Sequence, residues 1–124
     1  MTLVLAVLIG GVIGAPLRFL IDRAVTVRTA GVGSLPEVPW GLATVNVLGS
    51  ALVGVLYATT TGELRALLII GLCGALTTFS GFAWETHRLW SVRRAAFWVT
   101  IVLIPVACVV AFLLTWLVAQ ALAG

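Results

Sequence analysis

Gly71-Leu-Cys-Gly-Ala-Leu-Thr-Thr-Phe-Ser-Gly-Phe-Ala-Trp-Glu85 lies inside an apolar stretch. It nevertheless gathers three glycines, two adjacent threonines, a serine and two phenylalanines three residues apart. Glycine weakens a helix, and hydroxyl side chains compete for its backbone hydrogen bonds. A span built only to sit in lipid does not concentrate such residues at its middle. Two readings stand side by side here: a smooth helix with a small-residue packing face, or a helix broken at membrane depth. A break is tolerated only where the freed backbone is buried in protein or lines a wet site. Its exposed ends are ready ion ligands, N–H groups for anions and carbonyls for cations.

The apolar surroundings of this stretch extend over the whole chain. Of 124 residues, 62% are hydrophobic and 9% charged, far less charge than a soluble domain of this size exposes. The chain is therefore read as an integral membrane protein. Net charge is +3, carried entirely by arginine, since there is no lysine. The arginines stand at the ends of apolar segments and form no patch, which excludes a nucleic-acid surface. Cys73 and Cys108 fall in apolar segments and read as small buried hydrophobes. The single histidine, His87, and the lack of CxxC or HExxH spacing leave no metal site of the usual side-chain kind.

Four spans are expected. The first, about Thr2 to Ile21, has no basic leader and is long enough to cross, so it is taken as a retained helix and not a signal peptide. Gly10 and Gly14, one turn apart, give it a flat face for close helix approach. A polar connection to residue 39 follows, with Gly31, Gly33, Pro36 and Pro39 as breakers. The second span, about Trp40 to Thr59, puts Trp40 and Tyr57 at the two interfaces. Asn46, Ser50 and Gly54 share one face of it. The third, about Ala66 to Leu89, contains the stretch quoted above. A basic connection from Thr86 to Arg94 leads into the fourth, about Ala95 to Leu122, which Pro105 should kink. The fold class is an all-α bundle of four transmembrane helices in a single domain. Its small volume makes a second subunit necessary for any transport path.

Orientation follows from the arginines. Arg18, Arg23, Arg28, Arg88, Arg93 and Arg94 lie on the side of the two long connections, and Arg65 alone on the side of the termini. The excess of arginine places those connections in the cytoplasm.

The chemistry available is not catalytic. Asp22, Glu37, Glu63 and Glu85 all sit at span ends or in connections, so the chain is not expected to be an enzyme. What remains inside the membrane is an uncharged track of Asn46, Ser50, Thr77, Thr78 and Ser80, accompanied by Phe79 and Phe82. Asn46 serves equally as interhelical glue, and the phenylalanines as packing. Alternatively, amide and hydroxyl donors and the positive ring edges would receive a small dehydrated anion without a fixed charge to trap it.

Three blocks carry a resemblance: Gly10-Gly-Val-Ile-Gly-Ala-Pro-Leu-Arg18-Phe, Val45-Asn46-Val-Leu-Gly49-Ser50, and the quoted stretch from Gly71 to Glu85. In order, spacing and span count the chain resembles the Fluc (CrcB-type) fluoride channels. That resemblance implies a dual-pore dimer of antiparallel subunits in the cell membrane of a microbe, letting fluoride leak out passively. It implies that Phe79 and Phe82 turn ring edges to fluoride, with Asn46, Ser80 and Thr78 as further pore groups. It implies that Gly74 and Thr77 offer backbone carbonyls to a structural Na+ at the dimer interface. Arg18 and Glu85 match common positions with no role assigned.

The chain departs from the family pattern at Gly81, where a second threonine is usual, and ahead of Asn46, where it reads Gly-Leu-Ala-Thr. To that polar track the last span, where the family usually adds serine-type hydroxyls, offers only Thr100, Cys108 and Thr115. That sparse span suits an alternative, a non-conducting partner that completes another subunit's pore. The arginine bias points to a fixed orientation and hence to a homologous partner of opposite bias. A small proton-coupled drug exporter would need an acid within residues 2–21, which hold none.

Overall fold

The structure, a computed structural model, describes residues 2–31 and 37–123; Gly33 and Pro36, expected to break the first connection, lie outside them. The described chain is helical, and four helical passages are long and apolar enough to cross a membrane. Helix α1 is Thr2–Thr29 and α2 is Trp40–Thr59. The third passage, Gly62–Val92, is bent at its middle into two helices. Its first half, α3 (residues 62–76), runs from Gly62–Arg65 through a π-helical stretch, Ala66–Cys73, to a last turn, Gly74–Leu76. Its second half, α4, is Phe79–Val92. The fourth passage, α5, is Arg94–Ala123.

Helix α1 runs two turns beyond the expected end at Ile21. At 28 residues it is about 42 Å long by its rise, more than the ~30 Å hydrocarbon core. Hydropathy ends at the membrane surface, but a helix need not. Asp22 accepts a hydrogen bond from Thr26 one turn on, and Arg28 complements the negative end of the dipole. Gly31, at φ +74°, then supplies the left-handed turn that only glycine makes cheaply. The expected basic connection after Thr86 is likewise mostly helix: α4 continues to Val92, and Arg93 alone, extended, joins it to α5.

Two seams hold the bundle. Along the first, α1 lies on α3 through glycines: a Cβ at Gly10 would overlap the Leu67 carbonyl and the backbone at Gly71 and Leu72, and one at Gly14 the Leu72 carbonyl. The flat face expected at Gly10 and Gly14 is there, and the π-helical turns of α3 lie against it. Along the second seam α2 lies beside α5. Gly54 meets the backbone of Phe112, and the Thr115 hydroxyl crosses to the Ala51 carbonyl at 2.8 Å. Before Pro105, α5 widens into a π turn at Val99–Leu103. The proline has no N–H and its ring crowds the carbonyl one turn back, so the preceding carbonyls must find later partners.

Arg65 closes the short connection between α2 and α3. Its Nε and Nη2 donate to the Thr60 and Tyr57 carbonyls, and its guanidinium lies over the Tyr57 ring, covering acceptors that end a helix unpaired. A small apolar cluster of Val38, Leu89 and Ala96, backed by Trp40 and Phe97, seals the opposite end. Elsewhere large apolar side chains face outward; Val12 is 74% exposed. Water would not tolerate so continuous an apolar surface.

Candidate functional site

The site is built at the bend. The Thr77 N–H and hydroxyl both donate to the Cys73 carbonyl, at 2.9 and 3.0 Å, ending α3. Thr77 and Thr78 then take extended conformations, with ψ of 159° and 121°. The Thr78 hydroxyl accepts from the Gly81 N–H at 3.1 Å and so caps α4, as hydroxyls at N-caps do.

Asn46 of α2 holds this break. Its Oδ1 accepts the Thr78 N–H at 2.8 Å, and its Nδ2 donates to the Thr78 carbonyl at 3.3 Å. One amide thus replaces both backbone partners that Thr78 lost when the helix opened. Gly49, one turn on, brings α2 close enough: a Cβ there would overlap the Thr77 methyl. Among the described residues no backbone donor reaches the Gly74 or Thr77 carbonyls. The N–H four residues beyond Gly74 is the Thr78 N–H, already taken by Asn46.

A groove of about 500 Å³ opens along the break. Asn46, Ser50, Thr77, Thr78, Phe79 and Phe82 line one side of it, and Pro105, Cys108 and Phe112 of α5 the other. The bend is what turns Phe79 and Phe82 onto the groove that Asn46 and Ser50 reach from α2. The two rings lie 6.1 Å apart and are tilted by 40°; Phe79 is 80% exposed.

Ser80 does not line this groove; its hydroxyl lies 3.2 Å from that of Thr78. Of Thr100, Cys108 and Thr115 in α5, Cys108 alone joins the lining. Thr115 is committed to α2, and Thr100 is fully buried with its hydroxyl unpaired. Phe112 was not singled out from the sequence. It stands one helical turn beyond Cys108, the spacing that would have placed it on the same face.

Thr78 also borders a second, charged cavity of about 500 Å³, shared with Arg18, Asp22, Gly81, Trp84 and Glu85. Arg18 and Glu85 both line this cavity. Glu85 pairs with Arg88 at 2.7 Å, and Glu37 with Arg93 at 3.0 Å. The hydrogen bond from Arg93 holds the Glu37 carboxyl below its ordinary range. A Cβ at Gly81 would press on Thr78 and Leu42, at 3.0 and 3.1 Å. The cavity therefore has little room for a larger residue there.

The chain matches the family described as CrcB-like protein, Camphor Resistance (CrcB), over residues 5–119. It is 51% identical over 84 residues to fluoride-specific ion channel FluC 1 of Nocardia farcinica, a match covering 67% of this chain and 56% of the relative. The chain thus spans a little over half the length of that protein. Identity to FluC 1 of Streptomyces avermitilis is 42% over 90 residues, 68% of each chain. To FluC of Methanococcus aeolicus it is 43% over 86 residues, covering 65% and 64%.

Proposed function

The chain belongs to the CrcB-like family and is a multi-pass membrane protein; on that premise we propose that it is a subunit of a fluoride channel. The observation that carries the proposal is the break at Thr77 and Thr78, which gathers Asn46, Thr78, Phe79 and Phe82 on one groove. Fluoride moves along this groove passively. The ring edges of Phe79 and Phe82 and the Thr78 hydroxyl replace part of its hydration shell, together with the second N–H of Asn46, the one its bond to Thr78 leaves over. No fixed charge lines the groove, so binding stays weak and distributed, which conduction requires. Ser80 acts through its contact with Thr78, steadying that hydroxyl.

The groove is open along one side, and Phe79 is too exposed to work alone. A second, antiparallel subunit closes it. At that interface the Gly74 and Thr77 carbonyls, freed by the break, suit Na+, which takes unwound backbone oxygens as ligands; bound there, the ion would tie the two breaks together. Six arginines against one fix this subunit's orientation, so its partner is a homologue of opposite bias.

The test is fluoride efflux from liposomes carrying the purified chain, alone and with a homologue of opposite arginine bias. Efflux is expected in at least one case. Phe79→Ile or Phe82→Ile should lower it by about tenfold or more, equivalent to about 1.4 kcal/mol of barrier. No efflux in either preparation would overturn the proposal. A second reading, that the chain only completes a partner's pore, is favoured by α5, which gives the groove Cys108 as its only polar residue. It predicts efflux from the pair that survives both phenylalanine changes in this chain.

A further inference from the structure

Behind the groove, on the other face of the α2–α5 seam, lies a separate slot of about 300 Å³. Trp40, Ala43 and Val47 of α2 and Leu103, Ile104 and Ala107 of α5 line it. Asn46 and Val47 are neighbours in the chain but diverge by roughly 100° around the helix, so the two hollows open in different directions. Ile104 is common to both and only 4% exposed. It is the partition between them.

The chemistry of the slot narrows what fills it. Its single hydroxyl, that of Thr44, already donates to the Trp40 carbonyl at 2.8 Å, so below the Trp40 indole at its end no free polar side chain is left to recognise a polar ligand. Leu48 and Leu103, 45% and 52% exposed, form its mouth. It runs from Trp40, the first residue of α2, to Leu48, a rise of about 12 Å. That is most of the ~15 Å hydrocarbon depth of one leaflet, below an indole suited to the headgroup boundary. The second subunit covers the opposite face, if the function proposed above holds, so this face is left to lipid.

We propose that the slot binds one acyl chain of a phospholipid, which enters beside Trp40 and supports Ile104 from behind. The acyl chain fills a hollow that would otherwise deprive the partition of packing contacts on one side. The pore wall is thus completed by lipid on the side that protein leaves open.

The inference rests on the proposed channel only for which face is free, and its test is read without fluoride. The channel is reconstituted in phosphatidylcholine–phosphatidylglycerol vesicles doped with a phosphatidylcholine bearing a diazirine in the upper half of one acyl chain. After photolysis the labelled residues are mapped by mass spectrometry. Labelling at Leu48, Leu103 and Ala107 is expected to exceed that at the exposed α1 residues Leu8 and Val12 severalfold. Ala107→Phe, which fills the slot, should abolish the excess while labelling of α1 stays unchanged. Ala43→Leu fills it from the other wall and serves if the first variant does not fold. Equal labelling of slot and α1 overturns the proposal, and so does a slot protected from label, which would mean that protein covers it. A chain that labels as expected but carries no fluoride would support the slot and count against the function.

Discussion

Two contacts of the third passage, one before its bend and one at it, are built on opposite principles. Before the bend, α3 meets α1 through Gly10, Gly14 and Gly71, largely backbone against backbone, with only the Ala75 methyl beside Gly14. At the bend itself, contact with α2 passes through one long polar side chain, Asn46, bonded twice to Thr78. The first seam tolerates no added volume and needs no polar partner, since its helical backbone is already satisfied. The second must supply hydrogen bonds, because two residues have left the helix where no water compensates them. A fixed close contact beside a held-open break is how a short chain presents polar groups at membrane depth without unfolding there.

The comparison breaks most decisively at the glycine seam. Gly10→Val should push α1 off α3, because the new atoms collide with backbone that cannot yield. A loss of about 3 kcal/mol or more, at or above the top of the usual overpacking range, should appear as failure to purify a monodisperse protein. Gly11→Val should be neutral in the same assay, since a Cβ there meets nothing. If both variants behave alike, the seam is not what fixes α1. Next in size is Asn46→Ala, which orphans the Thr78 N–H and carbonyl together, at about 1–3 kcal/mol for each group left unpaired. Thermal unfolding in detergent should fall, and fluoride flux with it. Intact flux would mean that the break holds itself.

Smaller effects sharpen the contrast. Thr115→Val keeps the branched shape but removes the bond to Ala51 across the α2–α5 seam. Interhelical hydrogen bonds in membranes average about 0.6 kcal/mol, so a slight drop in unfolding temperature with unchanged flux is expected. The least effect belongs to Glu37→Gln, outside the membrane. The hydrogen bond from Arg93 lowers the carboxyl pKa below its ordinary 4.5, so the folded state favours the charged form. That contribution is full above the ordinary value and is lost as pH falls through the lowered folded one. Stability measured against pH should therefore flatten over that acidic window in Glu37→Gln, leaving the variant slightly less stable than the parent at neutral pH and equal to it below the window.

Much of this was legible in the residues. The length of the apolar runs and the scarcity of charge gave four helical passages. Gly10 and Gly14 marked a packing face, but the residues from Gly71 to Glu85 left a smooth helix and a broken one side by side, and the structure opens it at Thr77 and Thr78. The partner of Asn46 was not legible. Nothing local says that an asparagine in α2 will meet the backbone of a threonine thirty-two residues later. The partners of Ser80 and Thr115 were not legible for the same reason: a hydroxyl in an apolar run announces that it needs a partner, but not which one. The helical continuation of α1 past Ile21 escaped because hydropathy measures where lipid ends, whereas hydrogen bonds and side-chain pairs decide where a helix ends.

The sequence by itself determined what the chain is made to cross and where it weakens. Apolar length and glycine placement act locally, through lipid partition and helix propensity, and need no third dimension. Only the tertiary structure decided which faces meet. It turned Phe79 and Phe82 onto the groove with Asn46, set Ser80 aside, and left Ile104 as the one wall between two hollows. Those outcomes depend on the angle of the bend and the register of α2 against α5. Both are set by packing between residues far apart in the chain, where no local pattern records the distance.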